Sequence, residues 1–306
     1  MKMELRNIEK SFGQKKVLEN VSFSAEGGRA LGFLGRNGAG KTTAIRIIMG
    51  IFLQDSGQVL VDGAPIAQST ARIGYMPEER GLYPKKKIWE QIVYIGELRG
   101  LTAPQSKKRA EFLLDKLEAS EYIDKRLDTL SKGNQQKIQL AIALIHDPEI
   151  VILDEPFSGL DPINAAILKR TVEELVGYGK IVMFSSHQMG YVEEFCRDIC
   201  ILDKGAIVLS GDLDQIKKSY PRSRIRVVPA GVPEAFRERL KTAPFSNILE
   251  DVTEERGAFF LKLRAAKDKR ALLAALSDFD VDSFLVLEPT LEEIFLEKAG
   301  NQNEAV

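Results

Sequence analysis

A chain of 306 residues suits about two domains with a sizeable core. Its 43 Lys plus Arg against 44 Asp plus Glu argue against a nucleic-acid partner held mainly by counterion release. No apolar stretch approaches bilayer-spanning length, and Met1-Lys2-Met3-Glu4-Leu5-Arg6 lacks the apolar core of a secretion signal, so any work at a membrane is expected of a peripheral subunit.

In chain order, Met3–Ile8 and Val17–Ala25 alternate with period two and read as strands, with turns at Gly13 and Gly27-Gly28. Ala30-Leu31-Gly32-Phe33-Leu34 reads as a buried strand and Thr42–Met49 as a helix. Between them lies Gly35-Arg36-Asn37-Gly38-Ala39-Gly40-Lys41-Thr42, the pattern G-x-x-x-x-G-K-[ST]. Its glycines let backbone N–H groups turn inward on a polyphosphate. Lys41 supplies a point charge for the β- and γ-phosphates, and the Thr42 hydroxyl suits Mg²⁺. Strand, glycine loop and helix N-terminus come in the order an anion site needs. The pattern predicts a bound nucleoside triphosphate.

Gly57–Val61 is the next strand, closed by the hairpin dipeptide Asp62-Gly63, and Arg72–Met76 is another, stopped by Pro77. From Ile88 to His146 the signal turns helical, with Ile88, Ile92, Ile95 and Leu98 at helical spacing, as are Phe112, Leu113 and Leu117. An inserted helical subdomain at about residues 85–148 is expected. Alternation then returns: strand Ile150–Leu153, helix Pro162–Val176, strand Lys180–Ser185, helix Met189–Phe195 and strand Asp198–Leu202, implying a parallel sheet with helices on its faces. Lys204-Gly205 opens a hairpin ending near Gly211. His146, in an apolar setting, reads as structural. Cys196 and Cys200 read as small buried side chains of a reduced protein, since only two histidines accompany them.

Residues 219–223 read as a linker. Beyond them come strand Arg224–Val228, helix Pro233–Leu240, strands Asn247–Val252 and Phe259–Leu263, helix Asp268–Leu276 and strand Val281–Leu287, a ferredoxin-like β-α-β-β-α-β order. A last helix opens with the capping box Thr290-Leu291-Glu292-Glu293, and Leu291, Ile294, Phe295 and Ala299 share one apolar face. The expected domains are therefore 1–218, a linker, and 224–306.

The strand Ile150–Leu153 runs into Asp154-Glu155-Pro156. An acidic residue at the carboxyl end of a central strand is where a phosphate-loop ATPase holds Mg²⁺, which suits Asp154. Glu155 beside it can serve as general base on an attacking water.

With these residues in hand, the chain resembles the nucleotide-binding subunit of an ABC transporter over about residues 1–218. The motifs stand in the family's order: the phosphate loop Gly35–Thr43, the signature-like Leu130-Ser131-Lys132-Gly133-Asn134-Gln135-Gln136, Asp154-Glu155, the dimer loop Ser158-Gly159-Leu160-Asp161, and His187. Tyr75–Tyr83 and Pro289–Phe295 carry a narrower similarity to bacterial exporter subunits of the sodium-extrusion and drug-export type.

The resemblance implies an α/β phosphate-loop NTPase fold, with a RecA-like core, an antiparallel β subdomain, an inserted helical subdomain and a small α+β C-terminal domain. It implies ATP and Mg²⁺ as cofactors. Phe12 would stack on adenine, or else serve as a core aromatic, and Arg36, Asn37, Gly38, Ala39, Gly40, Lys41, Thr42 and Thr43 would hold the phosphates. Thr42, Asp154 and Glu78 would hold the metal, while Glu155 and His187 would serve catalysis, His187 sensing the γ-phosphate.

Ser131, Lys132, Gly133 and Asn134 would meet the nucleotide of a second ATPase subunit, identical or not, with Asp161 at the same interface. The expected partner is a separate membrane permease, met by the helical block and Glu78–Lys87 at the cytoplasmic face of the membrane. Two motifs depart from the family's pattern. Glu78 replaces the usual glutamine, and Lys132 and Asn134 replace Gly and Gln of the signature. Lys132 either faces the opposite nucleotide or is a solvent-facing side chain. The rival readings are a soluble ABC-type ATPase acting on DNA or ribosomes, and a regulatory module that binds ATP without turnover.

Overall fold

Period-two alternation at the start of the chain becomes an antiparallel sheet. In the computed structural model, which describes residues 1–79, 81–231 and 233–300, it holds β1 (Lys2–Phe12) and β2 (Lys15–Glu26). After β3 (Ala30–Leu34), β4 (Ser56–Val61) and β5 (Ala64–Pro65) complete it in the order β2-β1-β4-β5. Its inward residues, among them Met3, Leu5, Leu18, Val21 and Val59, share one core with α1 (Lys41–Ile48) and one face of the central sheet. Each such side chain stabilises by about 1.5–3 kcal/mol on full burial.

The central sheet contains β3, β6 (Ile73–Met76), β7 (Ile150–Asp154), β8 (Ile181–Ser186), β9 (Asp198–Asp203) and β10 (Ala206–Asp212), ordered β10-β9-β3-β8-β7-β6. Only β10 runs antiparallel to its neighbour. Strands covered on both faces read as unbroken apolar runs, as β3 and β7 do. The register then decides where function sits. Leu34 of β3 lies opposite Ser186 of β8, and Ser185 opposite Asp154 of β7. The carboxyl ends of three adjacent strands are flush, so Gly35, His187 and Glu155 leave the sheet side by side, where open α/β sheets bind ligands.

The inserted helices are α2 (Ile88–Leu98), α3 (Ala103–Lys116) and α4 (Lys132–Leu144). Thr102 caps α3 in a reciprocal capping box with Gln105. Of the residues at helical spacing, Ile88 and Ile92 are buried but Leu98 and Phe112 are exposed. The face that α2 uses includes Gly96 instead, where an added Cβ would stand 2.3 Å from Ser106 Oγ. Helices that close have no room for a larger side chain between them.

Then follow α5 (Pro162–Gly177), α6 (Met189–Phe195) and α7 (Leu213–Ser219). Contacts divide the described chain into two compact units, Met1–Leu213 together with residues from Leu291 onward, and Asp214–Thr290.

The second unit has β11 (Arg224–Pro229), α8 (Pro233–Leu240), α9 (Phe245–Ile248), β12 (Leu249–Glu255), β13 (Ala258–Leu263), α10 (Lys269–Leu276) and β14 (Val281–Leu287). The sheet order β12-β13-β11-β14, with every neighbour antiparallel, is the ferredoxin-like arrangement. The strand expected from Asn247 starts at Leu249, because buried Phe245 anchors a short helix there. The last helix, α11 (Leu291–Gly300), belongs to the first unit and packs on α6 and β10, with Leu291, Ile294 and Ala299 buried.

Candidate active site

The glycine loop is shaped by two close approaches. An added Cβ on Gly35 would lie 2.4 Å from the Leu202 carbonyl oxygen, and one on Gly40 would lie 2.7 Å from Leu18 Cδ2. Gly40 also holds a left-handed φ of 112° as the N-cap of α1. The loop folds back over Lys41, which is buried. Its Nζ donates to the Gly35 carbonyl at 2.6 Å and to that of Arg36 at 3.4 Å. Burial pulls this ammonium below its ordinary range, while Glu155, Asp154 and Glu78 push it back up. A cation partly stripped of water and bonded, among the described residues, only to backbone carbonyls is poised for an anionic ligand.

Above the loop opens a cavity of about 440 Å³. Its lining includes Arg36, Asn37, Gly38, Gly40, Lys41, Thr42 and Thr43 of the loop and α1, together with Glu78, Asp154, Glu155 and His187. Ala39, within the loop, is buried and is not part of this lining.

The carboxylates are held firmly. Asp154 is buried at the end of β7, its Oδ1 accepting from Ser185 Oγ and its Oδ2 from the Tyr75 hydroxyl at 3.4 Å. Burial first, and Asp154 second, push the Tyr75 phenol up to about 12, which keeps it protonated and donating. Glu155 has a left-handed φ of 50°, a conformation that costs a non-glycine residue about 1–3 kcal/mol. Its N–H donates to the Ser185 carbonyl at 3.1 Å. On the Glu155 carboxylate, Oε2 lies 2.8 Å from His187 Nδ1 and accepts the His187 backbone N–H at 3.4 Å. The strained backbone thus aims a buried carboxylate at the cavity beside an exposed imidazole.

Among the described residues no group of three or more His, Cys, Asp or Glu forms a ready-made metal cage. Mg²⁺ usually takes one or two carboxylates and fills the rest of its octahedron with phosphate oxygens and water. Thr42, Asp154 and Glu78, all facing the cavity, are an oxygen donor set of that kind, so the residues fit the ion.

The remaining expected residues lie elsewhere. Ser131, at the surface, is the N-cap of α4 and accepts the Asn134 N–H at 3.4 Å. Lys132 is exposed and Gly133 buried. A Cβ on Gly133 would meet Asn164 Nδ2 at 2.6 Å. Asn164 is in turn held by Asp161, the N-cap of α5, whose Oδ1 accepts the Asn164 N–H at 2.9 Å. Signature and dimer loop therefore form one packed patch, and none of it lines the cavity. Phe12 is also outside the lining, its ring edge-on to Phe52 with centroids 5.4 Å apart. His146 is buried and donates from Nε2 to the Ile73 carbonyl at 3.1 Å, and burial lowers its pKa.

Sequence reasoning missed Val17, which lines the cavity from β2, and the Tyr75, Ser185 and Ser186 hydroxyls behind the carboxylates. The signal available for the serines was two polar residues ending an apolar strand. Nothing marked Val17 beforehand, because only the closure of β2 over the loop brings it there.

The ABC transporter family model matches residues 18–158, and that of the "ATP-binding protein DrrA1-3-like, C-terminal domain" matches residues 211–299. The "Uncharacterized ABC transporter ATP-binding protein YhaQ" of Bacillus subtilis is 36% identical, covering 97% of this chain and 98% of that one. The "Nod factor export ATP-binding protein I" of Cupriavidus metallidurans is 30% identical, covering 98% of each. A solved ATP-binding subunit of an ABC transporter superimposes with a TM-score of 0.66 at 27% identity, over 71% of this chain and 92% of its own.

Proposed function

Because this chain belongs to the ATP-binding subunits of ABC transporters and is an ATPase of that class, we propose that two copies close on ATP and drive export of a sodium ion, drug or other small substrate through a separate membrane permease. The observation that carries the catalytic part is the flush ending of β3, β8 and β7, which gathers Lys41, His187 and Glu155 around one cavity. Loop amides and Lys41 bind the β- and γ-phosphates. Glu155 orients a water and takes its proton as the oxygen attacks the γ-phosphorus and the bond to the β-phosphate oxygen breaks. His187 holds Glu155 and faces the γ-phosphate. Thr42 and Asp154, with Glu78 beside them, would hold Mg²⁺, which would supply charge neutralisation on the phosphate oxygens when bound. Positioning and fixed charge supply most of the rate enhancement.

Dimerisation is supported by the packed patch of Ser131, Gly133 and Asp161, with Ser131 and Asp161 exposed, which lies outside the cavity of its own chain. Permease docking is supported by a groove of about 430 Å³ lined by Tyr83, Lys86, Glu90, Gln91 and Tyr94, with Trp89 and Leu98 exposed nearby in sequence. An apolar patch rimmed by polar groups marks an interaction surface. Export is supported by the relative named for Nod factor export. No described helix is long and apolar enough to cross a membrane, which suits a peripheral subunit.

The test is purification from the membrane fraction under mild detergent, followed by an ATPase assay. A stoichiometric integral-membrane partner that stimulates phosphate release supports the reading. Recovery with ribosomes or DNA, or no turnover with any partner, overturns it.

A narrower prediction concerns Glu78. With three carboxylates facing one cavity, Glu78→Gln removes a negative charge from a site already crowded by phosphate. The midpoint of the Mg²⁺ titration of hydrolysis should move more than the Kd for ATP. Superimposable Mg²⁺ titrations would assign Glu78 to the permease contact alone.

A further inference from the structure

The loop carrying Glu155 and the turn carrying His187 are joined twice. One junction is the polar contact between Glu155 Oε2 and His187 Nδ1 at 2.8 Å. The other is aromatic. Phe157, two residues past Glu155, is buried and stacks on Tyr191 of α6 with centroids 4.5 Å apart and planes 14° apart. It also stacks on Phe195 at 5.1 Å and 17°, and meets Phe184 of β8 edge-on at 5.8 Å. Lys169 Nζ of α5 lies 5.0 Å from the centre of the Phe195 ring.

Helix α6 starts two residues after His187 and has only seven residues, too few to hold itself in place without tertiary contacts. Contacts on two sides of it supply that support. On the sheet side, Val192 is fully buried against β3, where an added Cβ on Gly32 would stand 2.5 Å from Val192 Cγ1. On another side lies α11, whose first N–H, that of Leu291, donates to the Glu193 carboxylate at 3.3 Å. Leu291 and Ile294 are fully buried.

From these contacts we propose that α11 is a strap that holds α6, and through the Phe157–Tyr191–Phe195 stack keeps Glu155 and His187 in register, so that Tyr191 and Ile294 are positioning residues for hydrolysis. The proposal rests on the ATPase reading above. Neither residue touches the cavity, so neither contributes to binding nucleotide. A base must sit within hydrogen-bond reach of its water, and a misplacement of about 1 Å from a distant change can cost a hundredfold. Loosening the strap should therefore lower kcat and leave ATP affinity alone. An apolar staple that only adds stability would shift the thermal midpoint and nothing else.

The experiment compares full-length wild type with Tyr191→Phe, Tyr191→Ala and Ile294→Ala. It measures kcat by phosphate release, Kd for ATP by equilibrium binding, and amide hydrogen exchange without nucleotide. Tyr191→Phe keeps the stacked ring and should match wild type. Tyr191→Ala and Ile294→Ala should lose about tenfold in kcat with Kd within about twofold, and exchange faster at Glu155–Ser158 and His187–Tyr191. Wild-type kcat in both alanine variants, or a loss equally large in Tyr191→Phe, would overturn the strap. If the wild type itself does not turn over, the ATPase reading fails. Exchange then decides the strap by itself, unchanged rates at those two segments refuting it.

Discussion

Glu155→Gln is expected to bind ATP as the wild type does, to hydrolyse it at least about a hundredfold more slowly, and to accumulate as an ATP-bound dimer. The amide cannot accept a proton, and general-base catalysis contributes about 10²–10⁴-fold. Its size matches the carboxylate, so the left-handed backbone at this position and the contact with His187 change little. Losing the negative charge also eases repulsion against the γ-phosphate, and this favours the closed dimer. Phosphate release and size-exclusion chromatography with ATP check the two halves separately. Near wild-type turnover would remove Glu155 as the base. Slow turnover without a stable dimer would leave it the base but deny that hydrolysis is what reopens the pair.

Lys41→Ala should have the opposite character, losing binding first. Its ammonium is buried and, among the described residues, bonded only to the Gly35 and Arg36 carbonyls, with Glu155, Asp154 and Glu78 acting on it electrostatically. Removing one member of a buried charged interaction costs about 2–5 kcal/mol, about thirtyfold or more in Kd for ATP. Three carboxylates would then face the incoming phosphates without that cation, which adds to the loss. Equilibrium binding at fixed Mg²⁺ checks this. An unchanged Kd with lowered kcat would mean that Lys41 acts only on the transition state.

Both predictions were available from local patterns, because a phosphate loop and a strand ending in two carboxylates are contiguous in sequence. Each motif is one turn or one strand end, built by backbone geometry that a few residues dictate. Gly35, Gly40, Lys41, Asp154 and Glu155 could be named for that reason. The ferredoxin-like order of the second unit was legible in the same way, from short apolar runs separated by turn residues, although its second strand begins at Leu249 and not at Asn247.

Other features depend on pairing over long sequence distances. Phosphate loop and carboxylates share one cavity because β8 intervenes between β3 and β7 in that register, with 31 positions separating Ser185 from the Asp154 carboxylate it binds. Tyr75 reaches the same carboxylate across 79 positions. Val17 lines the cavity only because β2 closes over the loop.

Helix α11 shows the division most plainly. Its apolar face announced that it must be buried against something, since a stripe of Leu291, Ile294 and Ala299 is costly to leave in water. The identity of that surface could not be read from the stripe, because hydrophobic burial is non-directional and accepts any complementary apolar face. The sequence by itself determined where the phosphate loop and the carboxylate-ended strand stand, through local backbone and side-chain requirements. Only the tertiary structure decided that the last helix joins the first unit on α6, because that choice rests on shape and contact between segments about a hundred residues apart.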